Sequence, residues 1–123
     1  SRVSTRTTVD GASLSMLRPR PITWTAWSAL AQRAERMRIL GSSVIEGALV
    51  ADGAIDAFCD PGGDIHRIVD LAAISLIVEK SGGHVRDLHD RPFTFDPDLS
   101  KRWSGIIAGT RELVDEIADL IKA

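Results

Sequence analysis

The sequence predicts a layered α/β domain, and three observations support that fold class. Short apolar stretches typical of strands alternate with longer segments that have helical spacing. The length of 123 residues suits a single domain, residues 1–123, that buries its own core. Hydrophobic residues form 44% and charged residues 26% of the chain, which is the balance of a folded protein and not of a disordered one.

The first part of the chain predicts a strand, a helix and a second short strand. Small and apolar residues alternate over 12–17, and Pro19 and Pro21 then prevent regular structure. Thr23 is placed to cap the helix that follows. The apolar face of this helix carries Trp27, Leu30, Ala31, Ala34 and Met37. Residues 38–40 predict the second strand.

The next segment has the sequence signature of a helix start. Ser43 and Glu46 form a Ser-x-x-Glu capping box, which predicts a helix over 43–52. Gly53 is placed to end that helix. Residues 54–59 then predict a strand.

The second half of the chain predicts a buried helix, three strands and a terminal helix. A turn at 60–64 precedes the longest apolar stretch, 68–78, which is too long for a strand and ends in a Ser-Gly-Gly helix stop. Thr110 is placed to cap the last, amphipathic helix. The strands are expected at 84–88, around 93–95 and at 105–108.

Composition argues against several classes of function. The formal net charge of −2 gives no electrostatic footprint for nucleic acid. No apolar run approaches the roughly 20 residues that a membrane-spanning helix needs, so we expect no membrane association. Cys59 is the only cysteine, which excludes an intrachain disulfide and favours a reducing, cytoplasmic location.

Two places could carry chemistry on residue pattern alone. The segment 41–43 lies between a predicted strand and a predicted helix, where free backbone N–H groups favour an anionic or hydroxyl-rich ligand. A plain helix cap is the alternative there. Asp70 lies at the front of an apolar helix, after Asp60 and Asp64. Carboxylates suit Mg²⁺, although Asp70 could equally complement the helix dipole.

The histidines and tryptophans favour structural roles. His66, His84 and His89 lack the spacing of a helical metal pair, so surface or hydrogen-bonded histidines are expected. Trp24 and Trp27 predict core or interface packing in preference to a partner-binding patch. No Gly-x-Ser-x-Gly motif occurs, which leaves a serine hydrolase unsupported.

Three segments together resemble the inositol monophosphatase and fructose-1,6-bisphosphatase superfamily. They are Arg38-Ile-Leu-Gly-Ser-Ser43, Gly47-Ala-Leu-Val-Ala-Asp-Gly-Ala-Ile-Asp-Ala57 and Val69-Asp-Leu-Ala-Ala-Ile-Ser-Leu-Ile-Val-Glu-Lys-Ser-Gly-Gly83. Their order and spacing also match the family. The resemblance covers residues 36–123, including the Arg91-Pro92-Phe93 turn, whereas residues 1–35 match loosely. Because three motifs agree, the resemblance is specific.

The resemblance implies a fold, a reaction and a set of site residues. The fold is a layered α/β/α sandwich with a mixed sheet, the carboxy-terminal subdomain of the sugar-phosphatase fold. The reaction is Mg²⁺-assisted hydrolysis of a phosphate monoester of a polyol or sugar, of the inositol monophosphate or fructose 1,6-bisphosphate class. By resemblance, Asp70 is catalytic and ligates the metal, and Asp60 contacts substrate hydroxyls. The residues implied to line the substrate pocket are Gly41, Ser42 and Ser43.

The sequence also departs from the family pattern. Val69 and Ile74 occupy positions where the family has Trp and Gly. The turn between Asp60 and Asp70 is longer than usual, as in the broader-specificity bacterial and archaeal members. The family's amino-terminal half, with its Asp-Pro-Ile-Asp-Gly-Thr motif and further metal ligands, does not occur in these 123 residues. We therefore predict that this chain alone is inactive.

Two functions stay open at this point. The first is an enzyme, in which this chain is the carboxy-terminal half of a homodimeric phosphatase and needs the missing amino-terminal half in cis or in trans. The second is a non-catalytic module that uses the same fold for dimerisation or for binding a sugar phosphate. A parent or partner chain that carries the Asp-Pro-x-Asp-Gly-Thr motif would favour the enzyme.

Overall fold

The computed structural model describes residues 2–93 and 101–123, and in these ranges five strands and four helices form. The strands are β1 (Ser13–Met16), β2 (Arg36–Arg38), β3 (Ala57–Cys59), β4 (His84–Asp87) and β5 (Gly105–Ala108). The helices are α1 (Trp24–Arg33), α2 (Ser43–Asp52), α3 (Ile68–Lys80) and α4 (Arg111–Lys122). Within the described ranges, no helix has the length and apolar character needed to cross a membrane.

The strands form one mixed sheet in the order β2-β1-β3-β5-β4. β1 pairs in parallel with both β2 and β3, and β5 pairs antiparallel with β3 and β4. Parallel neighbours need crossover connections, which α1 and α2 supply on opposite faces of the sheet. The predicted mixed sheet is confirmed.

Alternation along the strands divides the core between the two faces of the sheet. Ala57 and Cys59 of β3 face α1 and α4, whereas Phe58 between them faces α2 and α3. The core on the α1 and α4 side includes Leu14, Met16, Leu30, Ile106, Leu113 and Ile117. The core on the α2 and α3 side includes Val50, Phe58, Ile74, Val78 and Ile107. Helices therefore pack on both faces, which confirms the α/β/α layering.

The first helix ends earlier than its apolar spacing predicts. α1 stops at Arg33 because Ala34 is extended, with φ −70° and ψ 147°. The next two amide N–H groups donate to the carbonyl oxygen of Ala12, which pairs the chain with β1. Met37 therefore lies in β2 and not on the helix, and β2 precedes most of the predicted strand at 38–40. Strand pairing outweighs the helical periodicity here.

Two of the predicted caps are replaced by other contacts. Thr23 precedes α1, but its hydroxyl bonds the backbone of Arg20 and not the start of the helix. Ser42, and not Ser43, caps α2 by accepting a hydrogen bond from the Ile45 N–H at 3.5 Å. The predicted span of α2 is nevertheless confirmed.

The longest apolar segment forms α3, but only one face of this helix is buried. The buried residues are Ile68, Leu71, Ile74 and Val78. Val69 and Leu76 are 52% and 60% exposed, and Ile77 is 40% exposed. The prediction of a buried helix is therefore wrong for the face that carries Val69, Leu76 and Ile77. None of the described elements covers this face.

The predicted strand around 93–95 lies mostly outside the described residues. Phe93 is described and lies in an irregular segment. Its ring packs edge-on against Trp103, with the ring centroids 6.0 Å apart. The strands predicted at 84–88 and 105–108 are confirmed as β4 and β5.

A buried carboxylate joins the ends of β4 and β5. Asp87 is 1% exposed and accepts hydrogen bonds from the N–H groups of Ser104 and His89, each at 2.9 Å. The Arg91 guanidinium donates to both carboxylate oxygens, at 2.7 and 2.8 Å. Burial opposes ionisation, but the Arg91 contact and the backbone donors outweigh it and hold the pKa of Asp87 below its usual value.

We expect Asp87→Asn to lower the free energy of unfolding by about 2 kcal/mol at neutral pH, because charge-assisted hydrogen bonds in a buried site are lost. A depressed folded pKa means that the ionised carboxylate stabilises the fold above its unfolded pKa of 3.8. This contribution disappears as the pH falls through the folded pKa, so the two proteins should converge in acid. Urea denaturation at neutral and acidic pH measures both effects.

Asp115→Asn is the matched control for this measurement. Asp115 forms an ion pair with Arg86 but is 48% exposed, so its loss should change stability by less than about 0.5 kcal/mol. If Asp87→Asn and Asp115→Asn lost equal free energies of unfolding, the buried hydrogen-bond network of Asp87 would stabilise the fold no more than an exposed ion pair does.

Candidate active site

The carboxyl ends of four strands meet at one edge of the sheet. β1, β2, β3 and β4 run in the same direction, and the antiparallel β5 begins at that edge. The connections after β1 and β2 leave toward opposite faces, which makes this edge a topological switch point. Ligand crevices of α/β sheets usually lie at such a point, and the predicted site residues follow β2 and β3 here.

The loop after β2 brings the first predicted group to this edge. Gly41 has φ +79°, and a Cβ at this position would meet nothing within 4 Å. The left-handed backbone conformation favours glycine at position 41, whereas there is enough space around it for a larger side chain. Ser42 and Ser43 are partly exposed. The loop therefore places two hydroxyls and the start of α2 at the edge of the sheet.

A buried acid that was predicted to be part of a helix cap lies behind this loop. Glu46 is 0% exposed, and its Oε2 accepts a hydrogen bond from the Ser15 hydroxyl of β1. Its Oε1 has no hydrogen-bond partner among the described residues. Burial raises the pKa of Glu46, and the Ser15 hydroxyl and the backbone of Ser42 and Leu40 oppose this shift. The capping-box interpretation is wrong because the carboxyl group points inward to β1.

Asp60 follows β3 and organises the turn after it. Its Oδ1 accepts a hydrogen bond from the Gly63 N–H at 2.6 Å, and its Oδ2 accepts one from the Ile65 N–H at 2.9 Å. Its own N–H donates to the Gly105 carbonyl at 2.9 Å. The residue is 1% exposed. The structure therefore gives Asp60 a turn-forming role, and its contact with substrate stays a prediction.

Asp70 lies in the first turn of α3 and is more exposed than Asp60. Its side chain is 36% exposed and forms an ion pair with Arg67, with Nε and Oδ2 3.7 Å apart. That separation is too long for a hydrogen bond. The carboxylate can therefore accept a further cation in addition to the guanidinium.

The donor set fits one part of a magnesium site. Mg²⁺ takes carboxylate oxygens together with phosphate oxygens and waters, and Asp70 offers such an oxygen. In residues 2–93 and 101–123, no group of three His, Cys, Asp or Glu side chains could hold a metal ion. Complete coordination thus needs ligands in addition to those that the described residues bring together.

His66 is a buried residue next to the Asp60 turn, and its position was not predicted. Its Nδ1 accepts a hydrogen bond from the Gly105 N–H at 2.9 Å, which places the proton of the neutral ring on Nε2. Nε2 has no partner among the described residues. Burial lowers the pKa of His66, and this effect exceeds that of the negative charges of Asp60, Asp70 and Asp87, which raise the pKa. His66 is a neutral histidine that supports the start of β5.

The family model described as the inositol monophosphatase family matches residues 6–123. This chain belongs to the inositol monophosphatase family. It is 41% identical over 87 residues to the fructose-1,6-bisphosphatase/inositol-1-monophosphatase of Methanothermobacter thermautotrophicus, and the alignment covers 71% of this chain and 31% of that protein. The protein of the same name from Archaeoglobus fulgidus is 38% identical over 90 residues, which cover 72% and 35% of the two chains.

Solved structures of inositol monophosphatases share the fold. An inositol monophosphatase from Zymomonas mobilis has a TM-score of 0.80 and 19% sequence identity, over 99% of this chain and 46% of that chain. At this identity the likeness concerns the fold alone. The chain spans about a third of the length of the two curated relatives and just under half of this solved one.

We expect Glu46→Gln to keep the fold and to change how stability depends on pH. A folded pKa above the unfolded value of 4.5 means that wild-type stability falls as the pH rises from 4.5 through the folded pKa. Gln carries no charge, so this fall should be absent from the variant, which should be at least as stable as the wild type in mild alkali. Urea denaturation across this pH range measures the difference.

Two further variants complete this test. Glu46→Ala should lose about 1–3 kcal/mol near pH 4.5, because the buried Ser15 hydroxyl keeps only its longer contact with the Arg38 carbonyl at 3.4 Å. This difference from the wild type should shrink as the pH rises. Glu79→Gln, at an exposed position of α3, should leave the pH dependence as it is in the wild type. If the free energy of unfolding depended on pH in the same way in the wild type and in Glu46→Gln, this would contradict the conclusion that Glu46 points inward at a site that disfavours its charge.

Proposed function

We propose that this chain supplies part of the active site of a Mg²⁺-dependent phosphomonoesterase. Its substrate is a phosphate ester of a polyol or sugar, of the inositol monophosphate or fructose 1,6-bisphosphate class. The proposal depends on one observation, namely that the 41–43 loop, the Asp60 turn and Asp70 lie at the same edge of the sheet. Membership of a phosphatase family and the names of the archaeal relatives support it.

Asp70 would hold the metal in this enzyme. Its carboxylate is partly exposed and forms no hydrogen bond with a described residue, so a metal could bind it beside the long contact with Arg67. Bound Mg²⁺ would supply an activated water and would neutralise charge on the phosphate oxygens. The remaining ligands would come from the amino-terminal half of a family chain.

The other site residues would bind and orient the substrate. Ser42 and Ser43 offer hydroxyls to a polyol, and the start of α2 favours the negative charge of a phosphate. Asp60 keeps the neighbouring turn in place through its hydrogen bonds with the Gly63 and Ile65 N–H groups. Its contact with a substrate hydroxyl rests on the family resemblance, since the residue is 1% exposed.

We further propose that the amino-terminal half, in cis or in trans, covers an exposed apolar face of α2 and α3. This apolar face consists of Val44, Ile45, Val69, Leu76 and Ile77. α2 and α3 pack against each other and both begin at the carboxyl edge of the sheet, so the apolar face adjoins the candidate site. Exposed apolar side chains on adjoining helices are typical of an interface.

The remaining expectations complete the proposed enzyme. A homodimer rests on the family resemblance. A cytoplasmic location is supported by Cys59, which is free and buried and therefore suits a reducing compartment.

We expect Asp70→Asn to abolish Mg²⁺-dependent phosphate release by the enzyme assembled with its amino-terminal half. The substitution removes the charge of the proposed ligand and nearly keeps its volume, so the fold should not change. Mutation of a residue that hydrogen-bonds to a metal ligand lowers metal affinity or activity by about 10–100-fold. Loss of the ligand itself should therefore lower the rate of phosphate release by more than about a hundredfold. Steady-state phosphate release at several Mg²⁺ concentrations measures it.

Asp119→Asn is the control for this experiment. Asp119 is an exposed acid of α4, on the other side of the sheet, and its loss should leave the rate unchanged. Near-normal activity of Asp70→Asn would exclude the ligand role. Activity of the 123-residue chain without a second half would contradict the proposal that ligands are supplied from elsewhere.

We also expect the isolated chain to self-associate through the apolar face. The double variant Leu76→Glu/Ile77→Lys should shift it to monomer, because both side chains are exposed and charge opposes their burial in an interface. Ile22→Glu is the control, since Ile22 is 81% exposed and precedes α1 on the other side of the sheet. Sedimentation velocity over a concentration series measures association, and a monodisperse wild-type monomer would count against the prediction.

A further inference from the structure

Asp64, in the turn between β3 and α3, has a backbone conformation that favours glycine. Its φ is +50°, and among the described residues other than glycine only Asp90 shares a positive φ, at +58°. The left-handed region strains residues that have a side chain, although aspartate tolerates it better than most. Such strain persists only where the surrounding contacts fix it, and it often accompanies a functional site.

Three hydrogen bonds fix Asp64 in this conformation. Its Oδ1 accepts from the Ser104 hydroxyl and from the Arg91 Nη2, each at 2.8 Å. Its N–H donates to the same Ser104 hydroxyl at 3.0 Å. Ser104 is 0% exposed and directly precedes β5. Both the backbone and the side chain of Asp64 are therefore held by a buried hydroxyl at the start of this strand.

The same two partners connect Asp64 to the turn after β4. The Arg91 guanidinium also donates to both carboxylate oxygens of Asp87, and the Ser104 N–H donates to Asp87 Oδ1. Arg91 Nη2 lies 2.8 Å from an oxygen of each of the two acids. Asp64, Arg91 and Ser104, called the Asp64 cluster below, thus join the turn after β3 to the buried Asp87 network.

Asp64 lies between the two amide groups that orient the Asp60 carboxylate. Asp60 Oδ1 accepts a hydrogen bond from the Gly63 N–H, and Oδ2 accepts one from the Ile65 N–H. Peptide units are planar, so the dihedral angles of Gly63 and Asp64 set the relative orientation of these two N–H groups. A change of backbone conformation at Asp64 would turn the Ile65 N–H away from Asp60.

We infer that Asp64 is a positioning residue, which keeps the Asp60 carboxylate and the turn around it in the arrangement that binds substrate. It acts through the backbone, and the Asp64 cluster supplies the contacts that offset its strain. The end of the turn is held separately, since His66 and Trp103 exchange two backbone hydrogen bonds at 2.9 Å. Loss of the cluster should therefore disturb substrate binding and leave Asp70 in place. The effect on substrate rests on the proposed function, whereas the effect on Asp60 does not.

The first measurement uses the 123-residue chain and needs no activity. Amide hydrogen exchange of Gly63 and Ile65, followed by NMR, reports how often their hydrogen bonds to Asp60 open, and the amides of β5 serve as the reference for global stability. Asp64→Gly removes the Oδ1 contacts and frees the backbone. Both amides should then exchange about tenfold faster, as expected for the loss of a hydrogen bond to a charged group.

Asp90→Gly is the matched control for this exchange experiment. Asp90 is the other left-handed aspartate, and in the ranges 2–93 and 101–123 its side chain forms no hydrogen bond or ion pair. The substitution relieves the same kind of strain without removing a contact, so Gly63 and Ile65 should exchange as in the wild type. Asp64→Asn should stay within about threefold of the wild type, because an amide oxygen can replace Oδ1 and asparagine tolerates a left-handed backbone.

Ser104→Ala tests the Asp64 cluster from its other side. It removes the hydroxyl that contacts Asp64 twice and keeps the N–H that donates to Asp87. The left-handed aspartate stays in place in this variant. Faster exchange of the Gly63 and Ile65 amides is expected here as well, and it cannot arise from the flexibility of an introduced glycine.

The second measurement uses the enzyme assembled with its amino-terminal half. Steady-state kinetics are recorded with fructose 1,6-bisphosphate and with myo-inositol 1-phosphate. For a substrate that is hydrolysed, Asp64→Gly should raise KM about tenfold and keep kcat within about twofold, because a binding contact is disturbed and Asp70 is not. A merely structural role would instead lower the fraction of active enzyme, which reduces kcat and leaves KM unchanged.

Two results of the exchange experiment would overturn the inference. They are wild-type exchange of Gly63 and Ile65 in both Asp64→Gly and Ser104→Ala, and equally fast exchange in Asp90→Gly. A fall in kcat at constant KM would also overturn it. Faster exchange as expected, combined with an assembled protein that hydrolyses no phosphate ester, would refute the proposed function and leave the control of Asp60 by Asp64 established.

Discussion

The parallel pairing of β1 with β2 on one side and with β3 on the other is the constraint on which the rest of this structure depends. Parallel neighbours cannot be joined by a hairpin, so each connection crosses a face of the sheet, and both loops emerge at the same edge. The 41–43 loop and the Asp60 turn are distant in sequence and emerge at the same edge of the sheet for this reason. Buried carboxyl groups then fix the loops locally, since Asp60 holds its own turn and Glu46 bonds to β1.

The parts of the fold that the sequence could predict are those with a local signal. Gly53 ends α2 with φ +79°, and the Thr110 hydroxyl accepts a hydrogen bond from the Leu113 N–H at the start of α4, as predicted. The errors arise where a contact with a distant segment decides the outcome. Met37 has helical spacing relative to α1, yet it pairs with Leu14 across the sheet. Periodicity within one segment carries no information about such pairing.

The same distinction applies to the site. Motifs predict Gly41–Ser43 and Asp70 as candidate site residues, because their spacing resembles that of the family. Glu46 could not, since its partner Ser15 lies 31 residues away, although an acid within an otherwise apolar helix is a weak signal of a buried role.

The half-buried state of α3 has a consequence for how this chain can vary. Val69, Leu76 and Ile77 contribute little to the core of the chain itself, and in water polar residues would be tolerated at such exposed helical positions. In the proposed assembly, their apolar character is set by the neighbouring half. A mutational scan of the isolated chain would therefore classify these positions as permissive, whereas the complete protein would not accept the same substitutions.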